Sequence, residues 1–493
     1  MRGARLLPTS ATRPRRAIRL LLTAVLVASG VIAVAPSAAA VPTDGAGYGW
    51  GLNTDGKLGD GTTNTPALLA TPMSAPPGEG LLAFTKVAAG GKFACGLTSS
   101  GVAYCWGGNI NGELGSNVGI SSLIPVPVDG GLSFTTISSG FNHTCGLTPA
   151  GRAYCWGRNL DGQLGTGSTT SSLVPVAVLG PLSGAPLTFT SLSAGMQHTC
   201  AITNAASMYC WGANFAGQLG DGSTTSYSVP VGVLGPLSSS PLEFSSLSAG
   251  SRITCGITTA GATYCWGDNT YGQLGDGSNN ASLRPIAVAA PLGGSLLSFT
   301  SLSAANAFTC GITTSAAAYC WGSNTYGALG DGTNTDSNRP VPVSGGIRFS
   351  EVRGGSGSTC GIDLSGGAYC WGSNQYGKLG DGSTTHRSVP APVLNPDGSG
   401  QLLLAGLALG ESFTIGIAPL SSGGDVPPDV LQQVGLLEGG SCALIADALL
   451  NWGGASSGNW GQSWAQWPNE GRGGPVCTRT LWYSRIHGHW LSR

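Results

Sequence analysis

Twelve of the 14 cysteines fall into six pairs of one spacing, each a Cys-x9-Cys followed directly by Trp-Gly. The pairs are Cys95 and Cys105, Cys145 and Cys155, Cys200 and Cys210, Cys255 and Cys265, Cys310 and Cys320, and Cys360 and Cys370. Metal ligation asks for closely stepped cysteines or clustered histidines, and these pairs have no Cys-x-x-Cys step and one or two histidines near them at most. Disulfide chemistry asks instead for two Cα atoms opposite each other. In HTCGLTPAGRAYCWGRNLDGQLG, residues 143–165, the runs Thr144–Thr148 and Arg152–Gly157 partly alternate, and Pro149-Ala150-Gly151 suits a three-residue turn ending on a left-handed glycine. That register sets Cys145 across from Cys155, Gly146 across from Tyr154 and Thr144 across from Trp156, within bridging distance. Each bridge then closes an 11-residue hairpin and adds about 2–3 kcal/mol. These are scaffold cysteines.

Little else in the chain is placed for reaction. Of five histidines (His143, His198, His386, His487, His489), the first two share one repeat position, which favours a structural or surface role over catalysis. Asp60, Asp221, Asp276, Asp331 and Asp381 stand in Leu-Gly-Asp-Gly turns without the alternating acids of a calcium loop, so they read as turn residues. Gly454-Ala455-Ser456-Ser457-Gly458 matches a hydrolase elbow pattern but lacks its strand-to-helix setting. No catalytic constellation, metal site or cofactor motif emerges, and the reading is of a protein that is not an enzyme.

What positions the cysteines is a repeat of 50 to 56 residues. Trp-Gly-x-Asn recurs seven times, at Trp50, Trp106, Trp156, Trp211, Trp266, Trp321 and Trp371. Gly-x-Leu-Gly follows, usually completed as Asp-Gly-Ser/Thr, then a Pro-Val-x-Val-like strand, then Phe-x-x-Leu/Ile-x-Ala/Ser-Gly and the next hairpin. Short strands joined by glycine turns imply an all-β, seven-bladed propeller of four-stranded sheets. The ends complete it. The array opens mid-repeat at Gly47-Tyr48-Gly49-Trp50 and closes with the first half of the motif, residues 407–417, so one blade is built from both termini. Both cysteine positions are lost together there, as Gly49 and Ile415. A tyrosine precedes every second-cysteine position: Tyr48, Tyr104, Tyr154, Tyr209, Tyr264, Tyr319 and Tyr369. The residue opposite is always small: Gly416, Gly96, Gly146, Ala201, Gly256, Gly311 and Gly361, a pattern expected of an aromatic lying over a cross-strand glycine.

The N-terminus reads as an export signal, residues 1–40: six arginines without an acid, an apolar run from Leu20 to Ala35 and a small-residue stretch at Ala38-Ala39-Ala40. The apolar run is shorter than a membrane span needs, so a removed signal is preferred to an anchor, and Sec and twin-arginine export (Arg15-Arg16) both stay open. Lys+Arg 22 against Asp+Glu 23 balance at −1, and without the six signal arginines the remainder is 16 against 23, or −7. An acidic chain is ill suited to a nucleic-acid backbone or an anionic membrane. Secretion, or residence in a periplasm or cell envelope, also suits regular disulfides.

The motif Trp-Gly-x-Asn-x-x-Gly-Gln-Leu-Gly-x-Gly, with Gly-x-x-His-Thr-Cys before it, resembles the repeat of the regulator of chromosome condensation family, in a secreted bacterial-type form, over residues 43–420. The resemblance implies a seven-bladed β-propeller. Members include an exchange factor for a nuclear small GTPase and, in secreted bacterial form, a β-lactamase inhibitory protein. Paired cysteines depart from the nuclear member and fit an oxidising compartment.

With the repeated positions building the blades, a protein partner must be read by the variable ones. One set precedes each first cysteine: Lys92-Phe93, Phe141-Asn142-His143, Met196-Gln197-His198, Ser251-Arg252-Ile253, Asn306-Ala307-Phe308 and Glu411-Ser412-Phe413. At one repeat position these form a ring on one face, mixing aromatic and arginine anchors with polar residues as protein interfaces do. The alternative is that Phe93, Phe308 and Phe413 cover the core between blades. A second set is Phe215, Tyr271, Tyr326 and Tyr376, after Trp-Gly-x-Asn. The functional reading is an exported, non-catalytic protein-binding module whose partner is an exported enzyme or envelope protein. Guanine-nucleotide exchange, implied by the resemblance, and glycan or envelope binding are the alternatives. Residues 421–430 read as a linker. Residues 431–493 form a Trp/Gly-rich tail, a degenerate repeat or a small appendage, carrying Cys442 and Cys477 outside the pairing pattern.

Overall fold

Strands of four to seven residues separated by glycine turns account for almost all regular structure, and a single short 3-10 turn, Gln375–Gly377, is the one helical element among the described residues. The computed structural model describes residues 45–181, 184–236, 241–419, 481–484 and 489–492, all within the unit Val41–Arg493. The expected signal at 1–40, the linker at 421–430, Cys442, Cys477 and the 454–458 elbow lie outside them. Of the tail, Leu481–Ser484 pairs antiparallel with His489–Ser492. No helix among the described residues is long and apolar enough to cross a membrane.

The strands group into antiparallel sheets of four, numbered here as blades 1 to 7: 83–127, 136–177, 189–232, 244–287, 299–342, 349–392 and, for blade 7, 406–419 with 45–72. Blades 2 to 6 are separate sheets. Blades 1 and 7 merge into one eight-stranded sheet through Gly45↔Phe84 and Ala46↔Ala83. The first strand of each blade lies against the first strand of the next in an unbroken circuit, and Gly406–Leu409 closes it by touching both Phe349–Gly354 and Ala83–Ala89. This is a closed propeller whose first strands line the axis.

Sequence register and observed register coincide. Cys145 pairs with Cys155, Gly146 with Tyr154 and Thr144 with Trp156. In blade 7, Gly49 meets Ile415 and Tyr48 meets Gly416. All six expected disulfides are formed, each with Cα atoms 4.0 Å apart. Cys95 is bonded to Cys105 in blade 1, Cys145 to Cys155 in blade 2 and Cys200 to Cys210 in blade 3. Cys255 is bonded to Cys265 in blade 4, Cys310 to Cys320 in blade 5 and Cys360 to Cys370 in blade 6. In each case the two cysteines are direct ladder partners of the second and third strands, as the hairpin spacing requires.

The small residue opposite each tyrosine has a different cause from the expected one. A Cβ on Gly146 would come within 2.5 Å of the Phe134 ring, and one on Gly96 within 2.4 Å of Phe84. The aromatic over the glycine is therefore a phenylalanine at the start of the first strand (Phe84) or just before it (Phe134), wedged against the blade's tryptophan (Phe134–Trp156 centroids 5.8 Å). The glycine's direct first-strand partner is Val87 in blade 1 and Ile137 in blade 2, and the phenylalanine three residues before that partner, not the tyrosine, needs the space.

Blades are joined through a carbonyl in the preceding blade's Gly-x-Leu-Gly loop. Trp156 donates Nε1–H to Glu113 O (2.9 Å), Trp211 to Gln163 O (2.9 Å) and Trp50 to Lys378 O (3.0 Å), from fully buried rings. Thr199 and Thr414 hydroxyls donate to the same carbonyls of Gln163 and Lys378. A buried indole or hydroxyl gains from such a partner, so each of these bonds helps fix the angle between neighbouring blades, and Trp321, whose Nε1 has no partner among the described residues, is the exception among the indoles.

Candidate interaction face

The turn between first and second strands and the loop between third and fourth strands emerge at the same end of every blade, because the strands alternate in direction. Backbone bonds tie them: Gly108 N–H to Lys92 O, Arg158 N–H to Asn142 O, Ala213 N–H to Gln197 O and Asp268 N–H to Arg252 O. The glycine after each tryptophan makes this possible. Gly157 has φ +99°, and a Cβ there would sit 2.6 Å from Asn142 O. Both variable sets named from sequence therefore lie on one face.

Within the first set the structure divides exposed from buried. Lys92 and Arg252 are exposed, and Phe141, Asn142, Met196 and Gln197 are partly so. Phe93, His143, His198, Phe308 and Phe413 are not on the face at all: each is 1 % exposed or less. These five are withdrawn as partner contacts, since their side chains fill the gap beneath the turn, against the neighbouring blade. A Cβ on Gly90 would come within 2.2 Å of the Phe93 ring, and one on Gly140 within 2.4 Å of His143. Strand alternation puts the residue two positions before the cysteine on the cysteine's own side, turned inward.

The two histidines are cross-blade contacts. His143 Nε2 lies 2.9 Å from Thr199 Oγ1 and His198 Nε2 2.9 Å from Thr254 Oγ1, each hydroxyl belonging to the next blade. The threonine already donates to a carbonyl, Thr199 to Gln163 O and Thr254 to Gln218 O, so the imidazole donates to the threonine oxygen. Neither Nδ1 has a partner among the described residues. Burial pushes both pKa values down to about 3, so both rings are neutral at ordinary pH.

The loop after Trp-Gly-x-Asn is held by its asparagine. Asn214 Nδ2 donates to Asp221 Oδ1 (3.0 Å), and Asn214 Oδ1 accepts from Leu219 N–H (2.9 Å). Asp221 Oδ1 also accepts from Ser223 N–H, and Asn53, Asn269, Asn324 and Asn374 repeat the scheme with Asp60, Asp276, Asp331 and Asp381. These aspartates order a turn. Among the described residues no cluster of three His, Cys, Asp or Glu could hold a metal.

The residue after that asparagine is pushed outward. Ile110 is 89 % exposed, Leu160 63 % and Phe215 63 %, in three successive blades, with Tyr271, Tyr326 and Tyr376 exposed one position later in the next three. Ile110 and Leu160 were missed from sequence, and aligning the residue after each Trp-Gly-x-Asn would have found them. Lys57 and Lys378 were missed too. They are buried in the Gly-x-Leu-Gly loops on either side of blade 7, where Lys378 Nζ donates to Ser356 O (2.6 Å) and Lys57 Nζ stands 5.6 Å over the Phe413 ring. Burial lowers the pKa of both, that of Lys378 to about 8.

Comparison with known proteins agrees with this architecture. The chain matches the RCC1-like domain over residues 7–357 and the regulator of chromosome condensation (RCC1) repeat over residues 365–416. It is 31 % identical to the ultraviolet-B receptor UVR8 of Arabidopsis thaliana over 60 % of this chain and 53 % of the receptor. With the E3 ubiquitin-protein ligase HERC2 of Homo sapiens it shares 27 % identity over 62 % of this chain and 5 % of the ligase. The chain thus spans about half of the one relative and a small fraction of the other. Among solved structures, Prp20p of Saccharomyces cerevisiae, described with its binding to Gsp1p and histones, superposes with TM-score 0.67 at 18 % identity, over 81 % of this chain and 96 % of that one. Human WBSCR16 gives 0.66 at 19 %, over 76 % and 99 %. At such identities the likeness is one of fold.

Proposed function

The chain belongs to the RCC1-like domain family, and from that premise we propose that it is an exported, non-catalytic protein-binding module that uses the loop face described above. The observation that carries this is the row of protruding apolar side chains, Ile110, Leu160 and Phe215, flanked by Lys92, Phe141, Met196 and Arg252. Large apolar groups held out by rigid loops cost solvation in the free protein and are recovered in a desolvated interface. Their rigidity limits the ordering cost of binding. The six bridged hairpins are compatible with an oxidising compartment, which supports export. Prp20p, which shares this fold, is described with its binding to Gsp1p and histones, which supports a protein-binding role, whereas exchange activity would need a small GTPase as partner.

The test is capture followed by measurement with purified components. Oxidised full chain is immobilised and offered envelope and culture-medium extracts, and a retained protein is then titrated against three forms. Ile110→Ser/Leu160→Ser/Phe215→Ser should bind at least tenfold more weakly with unchanged Tm. Leu292→Ser/Leu296→Ser, on the opposite face in a single connection between blades 4 and 5, should bind like the wild type. Equal loss in both variants, or retention of glycan instead of protein, rejects the reading.

A further inference from the structure

One position in the Gly-x-Leu-Gly loops breaks the repeat in a way that leaves a site. In blades 2, 3 and 4 a glutamine stands before the leucine, folds back into the loop and accepts a backbone N–H with Oε1: Gln163 from Asp161 (3.0 Å), Gln218 from Ala216 (2.9 Å) and Gln273 from Tyr271 (2.8 Å). All three side chains are buried. In blade 1 Glu113 accepts from Asn111 N–H (2.8 Å) in the same way, with the Asn111 side-chain amide as a further donor. Lys378 and Lys57 fill the position in blades 6 and 7. In blade 5 it is Ala328, and the corresponding N–H, that of Tyr326, has no acceptor among the described residues.

The neighbouring blade also gives way there. The turn residue that is Lys92, Asn142, Gln197, Arg252, Ala307 or Ser412 elsewhere is Gly357 in blade 6. The two losses together open a pocket of about 180 Å³ on the loop face between blades 5 and 6, lined by Phe308, Ser323, Tyr326, Ala328, Ser356 and Gly357 among others. Tyr326 walls its mouth, held edge-on against His386 with centroids 5.0 Å apart. No charged side chain lines it.

We propose that this pocket receives the side chain of a glutamine presented by a partner polypeptide, its carbonyl oxygen accepting the Tyr326 N–H as Gln273 accepts that of Tyr271. The proposal rests on the reading of this face as a protein-binding surface and says which side chain the partner brings. Three other blades already show that a primary carboxamide fits this loop. Glutamate fits less well, because an uncompensated carboxylate loses solvation and blade 5 lacks the second donor that Asn111 supplies in blade 1. Leucine would fill the space and leave the N–H unpaired.

The probe is N-acetyl-glutamine N-methylamide, titrated into oxidised full chain labelled with 15N-tyrosine, the Tyr326 amide being assigned by its loss in Tyr326→Phe. The expected result is a saturable shift of that amide, about tenfold weaker with the glutamate analogue and absent with the leucine analogue. Ala328→Gln, which restores the side chain the loop carries in blades 2 to 4, should abolish the shift and leave the other tyrosine amides in place. No saturable shift, an equal response to the leucine analogue, or a shift that survives in Ala328→Gln would overturn the proposal. If the probe fails while the Ile110/Leu160/Phe215 variant still loses its protein, the pocket is wrong and the face stands. If the probe binds and no protein depends on the face, the reverse holds.

Discussion

Blade 2 and blade 7 share one backbone register and are held by different means. In blade 2 the second and third strands are consecutive in sequence, and Cys145–Cys155 bridges them across a turn. In blade 7 they come from opposite ends of the domain, with Ile415 and Gly49 in the bridge position and seven consecutive pairs from Gly45↔Pro419 to Gly51↔Phe413 making the join. The difference shows what the disulfides do not do. Each links residues 10 apart inside one blade, and none crosses a blade boundary. Blade-to-blade contact is left to apolar packing with buried indoles, hydroxyls, two histidines and two lysines, and the closure of the whole ring to the seven-pair ladder of blade 7.

If the seam is where the ring opens, bridging it should outdo any natural disulfide. Gly49→Cys/Ile415→Cys puts a pair at the register position that is bridged in the six other blades. It would tie residues hundreds apart in sequence, where loop-closure entropy predicts on the order of 5 kcal/mol. Some of this is lost, because a Cβ on Gly49 lies 2.9 Å from Leu58 O and the loop must shift. The expected outcome is a Tm several degrees higher for the oxidised than for the reduced variant in calorimetry. Equal Tm values would mean that the ring does not open first at its ends.

The histidines sharpen the contrast from the noncovalent side. With pKa values of about 3 when folded and an ordinary value near 6.5 when unfolded, the unfolded chain binds more protons between these limits. Stability is therefore full above pH 6.5 and falls as pH drops towards 3, by up to about 3 kcal/mol per histidine at pH 4. His143→Phe/His198→Phe installs the residue that blades 1, 5 and 7 carry at this position, as Phe93, Phe308 and Phe413. Chemical denaturation at pH 7 and pH 4 should show a much smaller acid loss in the variant. An unchanged loss would place acid sensitivity outside these junctions.

Grafting the seam's solution into an intact blade is the next smaller step. Cys145→Ile/Cys155→Gly copies Ile415 and Gly49 into blade 2 and should cost about 2–3 kcal/mol, the local worth of a short-loop bridge. A far larger loss in urea unfolding would show that a blade needs its bridge to form at all.

Much of this architecture was legible because repetition converts sequence into register. Seven copies of Trp-Gly-x-Asn, with paired loss of both cysteine positions at Gly49 and Ile415, determine strand order, pairing and closure before any coordinates. The candidate site was half legible. Variable positions were found, but variability does not tell inward from outward. His143 and Phe93 vary between blades because the gaps they fill vary, while Met196 and Arg252, one or two positions earlier, vary in solvent. The cause of the small residues opposite the tyrosines was hidden for a related reason, since a strand has two ladder neighbours and the hairpin shows one. Ala328 carries no signal of its own in the sequence, because its consequence depends on its neighbours in space, Gly357 and the Tyr326 N–H.

The smallest expected effect lies beside the seam, at the boundary of blades 6 and 7. Lys378 is buried between blades 6 and 7, where its Nζ donates to Ser356 O and, at 3.4 Å, to Glu411 O. Burial, opposed in part by Glu411, lowers its pKa from the ordinary 10.5 to about 8. Between these values the unfolded chain holds the proton and the folded chain releases it, so stability rises with pH through that window and the cost of the buried charge is fully present below pH 8. Lys378→Gln removes the charge, using the residue that blades 2 to 4 carry at this position, and keeps the Lys378 backbone carbonyl that accepts from Trp50 and Thr414. It also forfeits the Ser356 bond. The net gain at pH 7 should be about 1 kcal/mol, a fraction of the desolvation cost, and the rise in Tm between pH 8 and pH 10 should flatten. A variant less stable at pH 7 would show that the lysine's hydrogen bonds outweigh its burial, making the Lys378 side chain a fastener of blade 6 to blade 7 beside Trp50 and Thr414.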